Sequence, residues 1–308
     1  MTDETGPRLP DGVSMTALGV AWVRAVESTR ADRLFDDPLA ARFLTASGWE
    51  PPDLTGPPVD DPGRAMLVLA QSVIVRTRFL DDLLAGAWTE GCRQVVILGA
   101  GLDTRAFRLA WPPGSRCFEL DLPPVLEFKE RVLTDAGAVP ACDRIRVPSD
   151  LLAEWPALLL GSGFRPEDPA VWIAEGLLIY FTQDENDRLL AEVGALSAPG
   201  HRFAITFSRP GTASVGAPGA DSPGGPHPGR AARARAVSGV GLLRDPEAVI
   251  ALWRWDGPAD PAAWLAGHGW QAQVFDREER AKAYGRPLDL AEDTSAATRT
   301  VLIDARRL

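Results

Sequence analysis

Residues 94–121 limit the folds open to this chain more than any other stretch. They begin with an apolar run, residues 95–98, which has the length of a buried strand and stops at Gly99-Ala100-Gly101. The residues after the glycines are compatible with a helix that packs back onto this strand. Asp121 follows Gly101 by twenty positions, at the end of a second apolar segment. The pattern predicts a strand, a tight turn, a helix and a second strand that ends in an acid.

This arrangement is typical of a nucleoside-binding half of a parallel sheet. Glycines let the backbone approach a ligand, and the start of a helix presents free N–H groups. An acid at the separation of Asp121 accepts hydrogen bonds from both hydroxyls of a ribose. Thr104 stands where the dinucleotide fingerprint has its third glycine, which disfavours a nicotinamide cofactor. A structural turn with an incidental acid is the alternative.

Strands and helices alternate along the rest of the chain. Further strands are predicted at residues 144–147, 171–174, 201–207, 271–275 and 298–303. The alternation predicts an α/β fold with a doubly wound, mostly parallel sheet of seven strands, whose ligand lies at the carboxyl ends of the strands. The acids expected at such ends are Glu119, Asp121, Asp150 and Glu175. Their convergence supports the prediction of a ligand site there.

The residues before the first strand are predicted to be entirely helical. We expect residues 1–90 to form a helical cap over one edge of the sheet and residues 91–308 to form the sheet domain. The predicted long helix, residues 63–86, carries Arg76 and Arg78 near its middle. Residues 209–229 hold five prolines and six glycines, which predicts a mobile loop. This loop is either a lid over the site or an inert insertion.

Composition and net charge limit the kinds of partner that we expect. A net charge of −10 and a pI near 4.9 argue against nucleic acid or an anionic membrane surface as a partner. No apolar run approaches the ~18 residues of a membrane span, and the acidic start is unlike a signal peptide, so we expect a cytoplasmic protein. The three cysteines are far apart and form no metal-binding motif, which predicts reduced thiols and no metal site. The sequence does not indicate an oligomeric state.

Several motifs occur together in an order that is similar to one known family. They are Leu-Gly-Ala-Gly-Leu-Asp-Thr-Arg at 98–105, Phe-Glu-Leu-Asp-Leu-Pro at 118–123, Ser-Asp-Leu at 149–151 and Ala-Glu-Gly-Leu-Leu-Ile-Tyr at 174–180. The chain resembles the leucine carboxyl methyltransferase superfamily, and more closely its bacterial branch of S-adenosylmethionine-dependent methyltransferases. N-terminal segments that include Thr16 and Arg24 also fit that branch. The resemblance spans residues 12–305 and implies a Rossmann-like class I methyltransferase fold with S-adenosylmethionine as cofactor.

The resemblance also implies contacts for the amino-acid end of that cofactor. Arg76 is expected to pair with the methionine carboxylate, for which a planar guanidinium is suited, and Arg78 is the second choice if the helix register differs. Glu175 is expected near the methionyl amine. Asp103 and Arg105 are expected to brace the glycine turn rather than to touch the ligand.

The nucleoside end receives a second set of expected contacts from the resemblance. Gly99 and Gly101 are expected to admit the sulfonium and ribose, and Asp121 to hold the ribose hydroxyls. Asp150 is expected to bind the adenine amino group, and Leu151 to contact the edge of the adenine ring. A ring of carboxylates is suited to a cationic cofactor.

The chain has only three histidines, which limits the side chains that could act as a general base toward the methyl acceptor. A general base is needed only if the acceptor is protonated at the working pH. His201, His227 and His268 are expected to be structural or solvated, so the acceptor is expected to be anionic already. A carboxylate fits best, and an acidic phenol comes second. Tyr180 is the candidate for the acceptor pocket, although a core or lid-packing role is equally open.

Three functions follow as hypotheses. The first is an O-methyltransferase that acts on a small metabolite or biosynthetic intermediate. The second is an NAD-dependent oxidoreductase on a related sheet, and the third is a non-catalytic scaffold that binds a nucleoside. Turnover on candidate acids distinguishes the first from the third.

Overall fold

The computed structural model describes residues 13–49, 61–210, 252–287 and 298–308. Three helices precede the first strand: α1 (Val13–Ser28), α2 (Ala40–Ser47) and α3 (Asp61–Thr89). The strands are β1 (Gln94–Leu98), β2 (Arg116–Asp121), β3 (Asp143–Pro148), β4 (Ala170–Glu175), β5 (Arg202–Pro210), β6 (Trp270–Asp276) and β7 (Thr298–Arg307). The remaining helices are α4 (Arg105–Arg108), α5 (Pro123–Asp135), α6 (Trp155–Gly161), α7 (Gln183–Ala195), α8 (Pro261–Gly267) and α9 (Arg277–Ala283), with a 3₁₀ turn at Leu178–Tyr180.

The seven strands form one sheet in the order β3-β2-β1-β4-β5-β7-β6. The first five run parallel, and β7 is antiparallel to both β5 and β6. The predicted seven-stranded, mostly parallel α/β sheet is therefore confirmed. The register pairs Leu98 with Leu120 and Asp121 with Pro148, so the carboxyl ends of β1, β2 and β3 lie along one edge.

Side chains that alternate along the central strands form the core on both faces of the sheet. Val96 and Leu98 pack in one cluster with Trp172, whereas Val95 and Ile97 point to the other face. That second face is covered by the C-terminal half of α3, which contributes Val75, Phe79, Leu80 and Leu84 to the cluster. A strand buried on both sides needs apolar residues, which β1 has from Val95 to Leu98. Gln94 at its start is also buried, and its amide donates to the Arg165 and Asp168 carbonyls.

The N-terminal helices take two positions. Residues of α1 and α2 pack with the first half of α3, with α5 and with Leu102, beside the turn after β1. The second half of α3 lies against a face of the sheet, so this helix does more than cover an edge. The division into a cap of residues 1–90 and a domain of residues 91–308 stays a prediction.

Local sequence signals set several boundaries. Thr182 begins α7 with a capping box, in which its hydroxyl accepts the Glu185 N–H and its own N–H donates to the Glu185 carboxylate. The helix after the glycine turn, α4, is a single turn, and α6 carries no signal strong enough to have been predicted. Residues 209 and 210 belong to β5 rather than to the predicted loop, and residues 211–229 lie outside the described residues.

The described residues lack two kinds of feature. None of their helices combines the length and the apolar character that a membrane crossing requires. No cluster of three or more histidine, cysteine, aspartate or glutamate side chains suited to a metal ion occurs within them. Cys92, Cys117 and Cys142 are free thiols.

Candidate functional site

A cavity of about 350 Å³ opens at the carboxyl ends of the parallel strands, beside α1 and α3. It brings together most of the residues predicted from the sequence, although these come from distant parts of the chain. The predicted residues that line it are Arg76, Gly99, Gly101, Asp121, Asp150, Leu151, Glu175 and Tyr180.

The glycine turn forms the floor of this cavity. Gly99 and Gly101 have φ angles of 64° and 47°, in the left-handed region that side chains disfavour. Asp121 supports the turn, because its Oδ2 accepts the Gly101 N–H at 2.6 Å and its Oδ1 accepts the Leu122 N–H at 2.7 Å. Burial raises the pKa of Asp121, and these two backbone donors oppose the rise. Each oxygen retains the capacity to accept another hydrogen bond.

Glu175 ends β4 and joins helix α3 to the turn. Its Oε1 accepts from Arg76 Nε at 3.0 Å, and its Oε2 accepts from Arg105 Nη1 at 2.7 Å. Burial opposes ionisation of Glu175, but the charges of Arg105 and Arg76 outweigh it and hold its pKa below the ordinary value. The carboxylate is therefore ionised at neutral pH.

Arg105 is the centre of a buried ion-pair network. Besides Glu175 it bonds Asp103 through Nη1, and its Nε donates to Asp81 at 2.8 Å. Asp81 also accepts from Arg108 at 2.6 Å. Asp103 and Arg105 thus brace the turn as expected. Asp81 was missed, because nothing local in α3 indicates which charged residue turns inward.

Arg78 does not line the cavity. Residues two apart on a helix face different directions, so Arg78 cannot share the face of Arg76. Its Nε donates to Asp82 at 2.8 Å and its Nη1 to the Leu34 carbonyl at 2.9 Å. The second choice for the carboxylate contact is therefore not placed at the site.

Glu119 is also absent from the cavity wall, contrary to its expected place among the converging acids. It lies two residues before the end of β2, which is roughly 7 Å along a strand. There it is fully buried and paired with Lys129 at 2.9 Å and Arg144 at 2.8 Å. Its charge stabilises the contact between β2, β3 and α5.

Tyr180 connects the site to the N-terminal helix. Its hydroxyl donates to Thr16 Oγ1 at 3.1 Å, across 164 positions of sequence. Burial raises the pKa of Tyr180, and the Thr16 hydrogen bond and the charge of Arg76 only partly offset this. The phenol is therefore protonated at neutral pH and acts as a donor.

Five polar residues on the wall were not predicted to contact a ligand, namely Thr16, Arg24, Asp103, Ser149 and Arg254. Thr16 and Arg24 come from α1, and Arg254 follows the undescribed residues 211–251. Arg24 is buried and donates to the Leu102 carbonyl at 2.7 Å. The motifs around Thr16 and Arg24 were the available signal for the first two.

Comparisons with known proteins relate the chain to one family. The family model for leucine carboxyl methyltransferase matches residues 17–194. A relative from Frankia alni, whose name places it among the S-adenosyl-L-methionine-dependent methyltransferases, is 46% identical over 289 residues, covering 94% of this chain and 93% of the relative. A relative of the same description from Streptomyces coelicolor is 46% identical over 291 residues, with the same coverage.

A solved structure supports the fold alone. It is the crystal structure of a DUF574 family protein from Streptomyces avermitilis, with a TM-score of 0.53 at 15% identity. The match covers 94% of this chain and 97% of that chain.

Proposed function

This chain belongs to the leucine carboxyl methyltransferase family and is an S-adenosylmethionine-dependent methyltransferase, and we propose that it methylates a carboxylate oxygen of a small metabolite or biosynthetic intermediate. When bound, S-adenosylmethionine supplies an electrophilic methyl group on a sulfonium cation. The proposal concerns which residues hold this cofactor and which acceptor the cavity suits.

The charge of the cavity wall fits a cationic cofactor. Asp103, Asp121, Asp150 and Glu175 all line the cavity, and carboxylates favour a positive charge at short range. Asp121 keeps acceptor capacity beyond its two backbone bonds, which suits the two ribose hydroxyls.

The amino-acid end of the cofactor is assigned to Arg76. Because Arg76 binds Glu175 through Nε, its terminal nitrogens are left to hold a carboxylate as a planar fork. The ionised Glu175 beside it is placed to attract the methionyl ammonium.

The adenine is assigned to the wall after β3. Asp150 lies at the exposed rim of the cavity, and its Oδ1 accepts the Leu152 N–H at 2.9 Å. Leu151 beside it is buried and offers an apolar surface to the edge of the ring. Asp150 is accordingly assigned to the exocyclic amino group.

The composition of the cavity wall is the observation that carries the choice of acceptor. A protonated phenol such as that of Tyr180 cannot take a proton from a hydroxyl nucleophile at neutral pH. Among the described residues that line the cavity there is no histidine, lysine or cysteine. The pKa of Asp103 is held near 2 and that of Glu175 is lowered, so neither is an effective base.

A carboxylate acceptor needs no base, because carboxylic acids ionise near pH 4. Its methylation requires only that the oxygen be aligned with the methyl group and stripped of water. The Tyr180 bond to Thr16 draws α1 against the cavity, which suits the exclusion of water. We assign Tyr180 to the acceptor side, where its ring lines the pocket while its hydroxyl stays bonded to Thr16.

The test uses methyl-labelled S-adenosylmethionine with aromatic acids and with phenols of the same ring size. Label transferred to the acids and released as methanol by mild base identifies methyl esters, which is the expected result. Label that resists base on the phenols, with none on the acids, would contradict the carboxylate assignment. No transfer to any acceptor, despite cofactor binding, would favour the non-catalytic scaffold.

Two variants of helix α3 test the contact that we assign to Arg76. Arg76→Gln is expected to weaken S-adenosylmethionine binding about tenfold or more in calorimetry, since a hydrogen bond to a charged group contributes about 1.5–3 kcal/mol. Arg78→Gln, two residues along the same helix and outside the cavity, is the control. Equal effects of the two variants would refute the assignment of Arg76, and heat with NAD would revive the dinucleotide hypothesis.

A further inference from the structure

Arg254 is held rigidly at the mouth of the cavity by the tryptophans on either side of it. Trp253 and Trp255 are buried in the core, whereas the Arg254 side chain is 45% exposed. The Trp255 ring packs against Phe207 and Trp264, at centroid distances of 5.2 and 5.1 Å. The backbone of this segment is thus anchored by aromatic packing.

A hydrogen bond fixes the same segment to the acceptor side of the site. The Arg254 N–H donates to the Ile179 carbonyl at 2.7 Å, in the turn that also carries Tyr180. Arg254 lines the cavity together with Leu177, Tyr180 and Phe181. The cationic side chain of Arg254 therefore lies on the same wall as Tyr180, which we assign to the acceptor side.

The guanidinium of Arg254 has a partner that it can exchange at little cost. Its Nη1 lies 3.0 Å from Glu185 Oε2, and the Glu185 side chain is 28% exposed. Ion pairs this exposed contribute only about 0–1 kcal/mol. Replacement of Glu185 by an incoming anion therefore sacrifices little stability.

The other two arginines of the cavity wall are committed elsewhere. Arg24 is buried against the Leu102 carbonyl and lies 3.4 Å from Asp37. Arg76 is paired with Glu175 and assigned to the cofactor. Among the described residues of the wall, Arg254 is the cation that is open to an acceptor.

The carboxylates that suit a cationic cofactor create a difficulty for an anionic acceptor, which they repel. A cation on the acceptor wall compensates for this repulsion and orients the acceptor. We propose that Arg254 binds the carboxylate group of the acceptor and so selects carboxylic acids over neutral molecules of the same shape. The proposal rests on the proposed function and identifies a residue that determines its specificity.

The test is calorimetry on the protein saturated with S-adenosylhomocysteine, using benzoate, phenylacetate and hexanoate as probes and the corresponding amides as neutral controls. Wild-type protein is expected to bind at least one acid more tightly than its amide. Arg254→Gln is expected to weaken that binding about tenfold or more while leaving amide binding unchanged.

A matched control is Arg306→Gln. The Arg306 side chain is 48% exposed and paired with Glu90 at 2.8 Å, near the start of β5 at the opposite end of the sheet. Arg306 resembles Arg254 in exposure and in having an acidic partner, but it does not line the cavity. Arg306→Gln is therefore expected to leave acid binding unchanged.

Glu185→Gln tests the exchange directly. Glutamine also serves in a capping box, so α7 keeps its start while the competing charge is removed. Acid binding is expected to tighten in this variant.

Two results would overturn the proposal: no preference for acids over amides in the wild-type protein, or unchanged preference in Arg254→Gln. Failure of the proposed function is separable, because Arg254-dependent acid binding without formation of a labelled methyl ester would refute the methyl acceptor and leave the anion site intact.

Discussion

Asp121→Asn is the substitution that tests the site most stringently, because Asp121 has two separable tasks. In the free protein its carboxylate accepts the Gly101 and Leu122 N–H groups at 2.6 and 2.7 Å. Asparagine keeps the shape but offers one oxygen and one NH₂ group, so one backbone donor loses its acceptor. In the complex it also withdraws the charged acceptor that we assign to the ribose.

The two tasks differ in magnitude. A hydrogen bond to a charged group contributes about 1.5–3 kcal/mol, but burial raises the pKa of Asp121, so the neutral amide regains part of this by removing a buried charge. We therefore expect the free energy of unfolding to fall by about 1 kcal/mol. Loss of the charged ribose contact is expected to cost about 2 kcal/mol, or about thirtyfold in affinity.

The assay is calorimetric titration with S-adenosylhomocysteine, alongside thermal unfolding without ligand. Asp82→Asn, at the half-exposed pair with Arg78 outside the cavity, is the control. In wild-type protein the affinity should also decline as the pH falls toward the raised pKa of Asp121, since the protonated carboxyl is a poorer acceptor, and the variant should lack this component. An affinity within about twofold of wild type would refute the ribose assignment.

Two further predictions concern stability. Gly99→Ala should lower the free energy of unfolding by about 1–2 kcal/mol because its φ is left-handed. The loss should be larger still because the new Cβ would lie 2.7 Å from Leu177 Cδ1. Gly114→Ala is the control in chemical denaturation, since Gly114 has a φ of 76° and open space around it, so this variant measures the backbone cost alone. Burial opposes ionisation of Asp103, but the charges of Arg105, Lys129 and Arg24 together with the Arg105 N–H outweigh it and lower the pKa from 3.8 to about 2. This stabilises the fold by about 2 kcal/mol above pH 4 and is lost as the pH falls toward 2, so Asp103→Asn should show a shallower acid decline, and an equal decline would contradict the assignment.

The parts of the fold that were predictable are those written in short stretches of sequence. The apolar strand β1 and the glycines after it, and the Thr182 capping box, each depend on a few consecutive residues. The helix after the glycine turn was predicted, but its length of a single turn was not, and neither was the seven-residue α6, because helices this short lack a full amphipathic period. Their positions are set by packing against the sheet.

The acids of the site were predictable where they lie at the end of a strand, whereas Arg76 in α3 was indicated by the family resemblance. Asp121 and Glu175 follow this rule, whereas Glu119 was wrong because a residue within a strand points to a face of the sheet. The contact of Tyr180 with Thr16 joins residues 164 positions apart, and no local pattern specifies it. The placement of Arg254 depends equally on tertiary packing.

Because α4 is only one turn long, we expect it to influence which nucleotides bind at the turn after β1. A helix of one turn aligns few peptide dipoles, so the positive electrostatic potential that it creates at Gly101 is weak. A diphosphate laid across this turn would be repelled by Asp121, whose carboxylate is held by the Gly101 and Leu122 N–H groups rather than by an arginine. A sulfonium would be attracted instead, so we expect the turn after β1 to favour cationic over anionic derivatives of adenosine.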